Sequence, residues 1–258
     1  MIRSLALLVL LASPALAQPR LTSFGAEGGN FRAGLSDGRV LMGGELIGAE
    51  LNLSRDGAPF TVRIDSAEAD TGGRAPDVWL FHLTMAGPDG TRQDYCSPDP
   101  QGRSLAIPYP AADEPSGFGI TCSAGAIGKC LRFGYRPWAM APDGVTSLAP
   151  YHATCVNLVR AAYGGPQHGY TRNGMSIDLY DRIGIQRADM AQGQAFEAGW
   201  TPAGAVCIAH PRVPENGSLA EITAQTPRLG GLTGPESCNE ERAAALGALI
   251  FNRSYPAQ

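Results

Sequence analysis

The sequence predicts an α+β fold made mostly of antiparallel β-strands, with one central and one C-terminal helix. Three observations carry this prediction: period-two alternation through the first half, one apolar stripe at helical spacing near the middle, and helix-start residues near the end. The 33 glycines and 20 prolines among 258 residues favour many turns and short strands. Because strands, a helix, more strands and a second helix follow one another, the order fits α+β rather than alternating βαβ units.

The first half has the pattern of a β-meander. Trp79, Phe81, Leu83 and Met85 recur at every second position, which places them on one face of a strand. A Gly-Pro-Asp-Gly segment at 87–90 then predicts a tight turn. The other strands are expected at 39–53 (interrupted by two glycines at 43–44), 60–64, 92–96, 105–107 and 118–122.

The central helix is expected from Pro150 to Tyr163. Proline suits the first helical turn, and an apolar stripe at i, i+3, i+4 and i+7 marks one buried face. The stripe consists of Cys155, Leu158, Val159 and Ala162. A Gly-Gly-Pro segment at 164–166 then ends the helix.

Two further features are expected in the second half. Asn173-Gly174 between 170–172 and 175–177 predicts a hairpin, since a type I′ turn needs positive φ at both central residues. A buried strand is expected at 206–208. The last helix is expected to open at Ser237 with Glu240 completing a capping box, and to bury three apolar residues, Leu246, Leu249 and Ile250.

The N-terminus has the three-part pattern of a secretory signal peptide. A positively charged start with Arg3 precedes an apolar run over 5–12 and the small residues Ala15 and Ala17. We therefore expect a signal peptide at 1–17 and a single globular domain at 18–258. No later run approaches the roughly 20 apolar residues of a transmembrane helix, so the mature protein is expected to be soluble and periplasmic or secreted.

Charge and composition exclude some classes of partner. The formal net charge is −4, with 24 acidic and 20 basic side chains, so the chain lacks the positive surface typical of nucleic-acid binding. Lys129 is the only lysine, a bias toward arginine that we interpret as coding preference. The partner is expected to be an unidentified protein or small molecule.

The cysteine content predicts disulfides. An even number in an exported chain favours bridges over metal sites or reactive thiols, although six cysteines allow many pairings. One bridge is expected between Cys96 and Cys122 across the meander, and a bond from Cys130 to Cys155 would clamp the Gly-Tyr-Arg-Pro-Trp segment at 134–138 onto the central helix. The six residues are Cys96, Cys122, Cys130, Cys155, Cys207 and Cys238.

Several segments resemble the ADYC-domain family, a group of exported bacterial proteins of uncharacterised activity. The resemblance is carried by Lys-Cys-Leu-Arg-Phe-Gly-Tyr-Arg-Pro-Trp at 129–138, by 159–165, and by the block containing Thr171, Arg172, Gly174, Ile177 and Asp178. It continues in Trp200, Gly204, Ala205, Cys207 and His210, and upstream in the Gly-Glu-Leu-Ile-Gly segment at 44–48. The resemblance implies export and a shared fold but no reaction.

The chain departs from that family at its naming motif. The family has Arg-Ala-Asp-Tyr-Cys-Gly, whereas this sequence has Ala162 in place of the aspartate and Gly164 in place of the cysteine. Any role of that carboxylate and thiol is therefore absent here.

Two kinds of chemistry can be weighed from residue types. Cys155 near a helix start, with His152, His168 or His210 as base, could form a thiolate–imidazole pair. His152 and Cys155, followed by His168, Asp178 and Asp181, could bind a metal, but zinc needs three or four converging ligands and no CxxC or HExxH is present. We favour a structural role for all of them and expect no metal or cofactor.

An aromatic and arginine-rich group could instead line a sugar or peptide cleft. Core packing with arginines reaching to the surface is the simpler interpretation. The group comprises Phe133, Tyr135, Trp138 and Tyr163 with Arg132, Arg136 and Arg160. We therefore predict a non-catalytic, disulfide-stabilised envelope or secreted binding protein, the alternative being a cysteine-dependent hydrolase acting on an extracytoplasmic substrate.

Overall fold

The structure, a computed structural model, describes residues 19–55, 58–87, 90–111 and 117–256. The expected signal peptide at 1–17 lies outside these ranges, as do the two central residues of the turn expected at 87–90. The fold is α+β, as predicted, with mostly antiparallel sheets. Four α-helices rather than two occur in the described residues, which corrects the expected helix count.

The first half forms two antiparallel sheets. One has the strand order β1-β2-β3, and the other has the order β4-β5-β6-β8-β9 with β7 also beside β6. The strands are β1 (Leu21–Glu27), β2 (Asn30–Leu35), β3 (Val40–Met42), β4 (Glu50–Arg55), β5 (Ala58–Ala69), β6 (Trp79–Ala86), β7 (Arg92–Asp94), β8 (Leu105–Pro110) and β9 (Phe118–Cys122). The pattern missed β1 and β2. Strand β1 is rich in small and polar residues and mostly exposed or half-buried, whereas β2 is mostly buried without period-two alternation.

Strand β6 lies at the centre of this half. The face predicted by alternation is buried at Phe81 and Leu83, where Phe81 meets Phe31 edge-on with ring centroids 4.8 Å apart. Leu80 on the opposite face is also buried, in a second cluster that includes Leu131 of the following half. Both faces of β6 are therefore covered, which alternation alone does not predict.

The second half is one sheet covered by helices. Its strand order is β10-β13-β11-β12, all antiparallel, and the final strand β13 lies inside the sheet. The elements are α1 (Ala126–Arg132), α2 (Ala149–Arg160), β10 (Ile177–Asp181), β11 (Ala195–Thr201), β12 (Gly204–Ile208), α3 (Leu219–Gln225), α4 (Glu240–Ala245) and β13 (Ile250–Ser254). Leu158 of α2 and Trp200 of β11 are fully buried in the shared core.

Ion pairs and a hydrogen bond connect the start of the second half to the first half. Arg132 Nε lies 2.6 Å from Asp70 Oδ2, and the Trp138 indole donates to Asp77 Oδ2 at 2.8 Å. Arg136 also pairs with Asp77 at 2.5 Å. These contacts hold α1 and the loop after it against residues 70–77.

All six cysteines are disulfide-bonded. The structure joins Cys96 to Cys122 and Cys130 to Cys155, the two pairings that the sequence analysis favoured. The third bond joins Cys207 to Cys238. The Cys130–Cys155 bond connects α1 directly to α2.

The central helix ends earlier than expected. Helix α2 stops at Arg160, because Ala161 adopts a left-handed conformation with φ 50° and donates its N–H back to the carbonyl of Leu158. The predicted boundary at Tyr163 was therefore wrong by three residues.

The prediction of a hairpin around Asn173-Gly174 was also wrong. A turn is present and Gly174 has φ +83°, but 170–172 is not a strand. The N–H groups of Tyr170 and Thr171 donate to the carbonyls of Ala161 and Arg160 instead, and β10 pairs with β13.

The last helix is shorter than predicted and begins later. Its N-cap is Asn239, whose side chain accepts from the N–H of Arg242, rather than Ser237. The helix ends before Gly247, where φ is +84°, and Ile250 is buried in β13 rather than on a helix. Leu246 is 37% exposed, so the expected apolar face was wrong.

Candidate functional site

A cleft opens where α1, the end of α2 and the segment before β10 meet. It consists of two adjoining cavities of about 620 and 450 Å³. The first is bordered by 97–101 and the second by 159–160 and 175–177. Both are lined by Ala124, Gly125, Lys129, Asn173 and Gly174.

Local sequence explains how α1 reaches this place. The Cys96–Cys122 bond fixes the end of β9, and α1 begins four residues later. A Cβ at Gly128 would collide with the Cys122 carbonyl oxygen, so glycine permits the helix to pack closely against the strand end. The exposed side chain of Lys129 then lines the cleft.

The cleft carries more positive than negative charge. Of its lining side chains, Arg132 is paired with Asp70 and Arg212 with Glu197, while the single lining carboxylate, Asp99, lies 3.4 Å from Arg103. Hydrogen bonding to Asp70 raises the pKa of Arg132 despite its burial. Within the described ranges, no carboxylate lies within ion-pair distance of the remaining three lining cations, Lys129, Arg160 and Arg172.

A buried charge network supports one wall of the cleft. Arg212 and Glu197 are 2% and 0% exposed, and two N–H groups of the guanidinium donate to the two carboxylate oxygens at 3.0 Å. Tyr163 Oη donates to Glu197 Oε1 at 2.9 Å, and Asn252 Nδ2 donates to Oε2 at 2.7 Å. The acceptors of this buried carboxylate are thus satisfied, as a buried charge requires.

The electrostatics of the network favour an ionised glutamate. Burial by itself would raise the pKa of Glu197, but attraction to Arg212 and its hydrogen bonds outweigh it, so the pKa lies below its usual value. Burial and the neighbouring carboxylate raise the pKa of Tyr163 well above 10, which keeps the hydroxyl protonated.

Arg212 also fixes the end of α2. Its Nη2 donates to the Leu158 carbonyl at 2.8 Å and its Nη1 to the Val159 carbonyl at 3.1 Å. These carbonyls belong to the last helical turn, where few N–H donors of the helix remain, and the Leu158 carbonyl also accepts from the Ala161 N–H. The wall formed by Val159 and Arg160 is therefore held by a buried side chain from another segment.

The proposed thiolate–imidazole pair is not present. Cys155 is fully buried and bonded to Cys130, so it has no free thiol. The Nδ1 atom of His152 lies 2.8 Å from the Tyr135 carbonyl, and burial lowers the pKa of this imidazole. The remaining candidate bases, His168 and His210, lie against the Tyr170 ring and near the Pro211 carbonyl respectively.

The two carboxylates considered as metal ligands instead organise loops. Asp178 accepts from the N–H groups of Asp189 and Met190, at 3.0 and 3.1 Å. Asp181 accepts from four successive N–H groups at 183–186 and from the Tyr135 hydroxyl at 2.7 Å. In the described part of the chain, no group of three His, Cys, Asp or Glu side chains is arranged to hold a metal ion.

The aromatic group is mainly structural. Tyr135 and Tyr163 are fully buried, and Trp138 is held by Asp77. Phe133 is the one aromatic of the four that lines the cleft, where Arg132 and Arg160 of the same group also lie. The sequence pattern singled out these aromatics and arginines as one group. It did not identify Glu197 or Arg212.

The two naming-motif positions flank the buried Tyr163. Ala162 is buried, whereas Gly164 is exposed in the turn that follows α2. A Cβ at Gly164 would lie 2.6 Å from Thr226 Oγ1, so a larger residue there would require that side chain to move. The tyrosine that this chain retains is the one that binds Glu197.

Helices in the described ranges are all too short or too polar to cross a membrane. A family model described as the ADYC domain matches residues 43–214. Neither the curated proteins nor the solved structures contain a match to the chain. Every residue that lines the cleft falls within the matched range.

Proposed function

Because the chain belongs to the ADYC-domain family, we propose that it is an exported, disulfide-stabilised binding protein that holds a ligand in the cleft beside Lys129. On this proposal, residues 18–258 form one globular domain that remains after removal of the signal peptide. The protein acts by binding and not by catalysing a reaction.

Export is supported by the covalent structure. Disulfides persist in oxidising compartments and are rare in the cytosol, and here all six cysteines are paired. The tripartite N-terminal sequence points in the same direction. A periplasmic or secreted location is consistent with both.

The cleft is the observation that carries the binding proposal. Its cavities are of the size that small-molecule sites occupy, about 300 to 1,000 Å³. Its walls are fixed by the Cys130–Cys155 bond, the Asp70–Arg132 pair and the Glu197–Arg212 network. A rigid site of this kind loses little conformational entropy on binding.

The hydrolase alternative lacks the nucleophile on which it depended. That alternative required a reactive thiol at Cys155, and only a thiolate is nucleophilic. Since this sulfur is bonded to Cys130, the geometry favours binding over cysteine-dependent hydrolysis.

A fragment-binding experiment tests the proposal. Ligand-observed NMR with a diverse set of charged and uncharged fragments would be run on the wild-type protein and on Ser176→Trp, which places an indole in the cleft. We expect the cleft-binding fragments to lose binding in this variant, because the indole occupies their space.

The matched control is Ala220→Trp on the exposed surface of α3, outside the cleft. Fragments should bind this variant as they bind the wild type. Fragment binding that is equal in all three proteins, or absent from all three, would refute the binding proposal.

A further inference from the structure

We propose that the ligand of the cleft is an organic anion with an apolar body, whose carboxylate or phosphate group is bound by Lys129 and Arg172. This inference rests on the proposed function and names the chemical class of its ligand. It follows from the combination of unpaired cations and apolar side chains in one cavity.

The charge distribution is the first step. The chain as a whole is negative, with net charge −4, yet three cations without a carboxylate partner in the described ranges line the same cavity. Clefts lined by one sign of charge concentrate the field and attract ligands of opposite sign. Arg160 is partly engaged, since its Nη1 donates to the Pro166 carbonyl at 2.7 Å, so Lys129 and Arg172 are the most available.

The two available cations offer different geometries. Lys129 supplies a compact ammonium with three donors, and Arg172 supplies a planar guanidinium that can bind two oxygens of one carboxylate or phosphate. Both side chains are exposed. Arg172 Nε makes only a weak contact with Met175 Sδ, at 3.4 Å, and such a thioether is easily displaced by an oxyanion.

The apolar lining is the second step. The larger apolar side chains that border the same cavity of about 450 Å³ are Phe133, Val159, Met175 and Ile177. A bare inorganic ion would leave this surface in contact with water. An anion that carries an aromatic or aliphatic body would cover it and gain the free energy of apolar burial.

A structural role explains the paired cations of the cleft but not Lys129. Elsewhere in the cleft the cations serve the fold, since Arg132 and Arg212 each bind a carboxylate in a bidentate manner. Lys129 has no equivalent carboxylate partner in the described ranges. Its presence in a concave, cation-rich surface therefore points to a ligand.

Titration of four probes tests the inference. We would use 1-naphthyl phosphate, 1-naphthoate, uncharged 1-naphthol and inorganic phosphate, and follow binding by calorimetry. The two naphthyl anions are expected to bind about tenfold or more tightly than 1-naphthol, as charge-assisted hydrogen bonds would give. They should also bind more tightly than inorganic phosphate. Comparing the two anions then shows which acidic group is preferred.

Variants locate the binding to the cleft. Lys129→Gln/Arg172→Gln should weaken the naphthyl anions about tenfold or more and leave 1-naphthol unchanged. The control Arg39→Gln/Arg63→Gln removes the same total charge from exposed positions outside the cleft and should bind like the wild type. Higher salt should weaken only the anionic probes.

Four results would overturn the inference. They are equal binding of 1-naphthol and the anions, equal loss of binding in both double variants, inorganic phosphate binding as tightly as naphthyl phosphate, and no binding of any probe. If uncharged fragments bind and are blocked by Ser176→Trp while anions show no preference, the proposed function stands and this inference fails.

Discussion

At the residue scale, Glu197 is a buried carboxylate that joins three segments of the second half. It is fully buried and accepts hydrogen bonds from Arg212, Tyr163 and Asn252, which belong to three separate parts of the second half. The pairing of β11 with β13 shifts register between Phe196 and Ala198, so Glu197 is the extra residue of a bulge. A bulge redirects a side chain, and here a glutamate in a strand faces the interior.

Replacing Glu197 by glutamine should lower the free energy of unfolding by about 3 to 5 kcal/mol at pH 7, because it leaves the buried Arg212 charge without a counter-ion. The effect should be pH-dependent. Since the folded-state pKa of Glu197 is below its unfolded value, its contribution is present above about pH 4.3 and is lost as the pH falls through the folded pKa. Urea unfolding at several pH values measures the loss of stability and its pH dependence.

The control is Glu68→Gln, in which an exposed glutamate 3.6 Å from Arg103 is replaced. It should change the free energy of unfolding by less than about 0.5 kcal/mol. The free energy of unfolding of the wild type minus that of Glu197→Gln should fall between pH 7 and pH 3. A difference that stays constant over this range would contradict the assignment of an ionised, buried glutamate.

At the scale of elements, α2 is an anchor that joins both sides of the cleft. Its Cys155 is bonded to Cys130 of α1, its last carbonyls are bound by Arg212, and Asn157 donates to the Pro202 carbonyl at 2.9 Å. The apolar stripe predicted for this helix faces the core at Cys155 and Leu158. The helix therefore sets the position of α1, which carries Lys129.

Removing this clamp with Cys130→Ala/Cys155→Ala should lower the free energy of unfolding by about 3 kcal/mol, because the unfolded chain regains the freedom of a 25-residue separation. Denaturant unfolding compares this variant with Cys207→Ala/Cys238→Ala, whose separation of 31 residues predicts a similar loss. If only one of the two double variants loses stability, strain or local packing, and not chain entropy, dominates the contribution of these disulfides.

Thiol labelling gives an independent check on the same elements. The native, unreduced protein should react with no alkylating reagent, whereas the reduced and unfolded chain should react at all six cysteines. Stoichiometric labelling of native Cys155 would contradict the anchor role and restore the hydrolase alternative.

At the scale of the whole molecule, the two features that bear on the proposal are the charge distribution and the oxidised cysteines. The chain is acidic overall, yet three cations without a carboxylate partner in the described ranges line one cleft, and all six cysteines are oxidised. A protein with this covalent structure is stabilised by an oxidising compartment.

We expect intact-mass spectrometry of the exported protein to give a chain that begins at Gln18, with six hydrogens fewer than the reduced form. Signal peptidase requires small residues before the cleavage point, here Ala15 and Ala17. The control Ala17→Tyr should retain the signal peptide. Recovery of exported wild-type protein that still contains Arg3 would contradict the prediction.

Local patterns were sufficient for much of the fold. Period-two alternation located the buried face at Phe81 and Leu83, and the i, i+3, i+4 stripe located α2, because each depends only on neighbouring residues. The same reasoning missed α1 and α3, each of seven residues, since two turns are too short to show a helical period.

The residues that line the cleft, and hence its charge, depend on the tertiary structure. Lys129 and Arg172 are far apart in sequence, and nothing local indicates that they line one cavity. Glu197 and Arg212 acquire their roles through a strand bulge and a buried pairing, which depend on how β11, β13 and α2 pack. The sequence by itself thus determined local strands, the central helix and the expectation that the cysteines are oxidised. Long-range packing determined which side chains meet, because those contacts join segments with no shared local pattern.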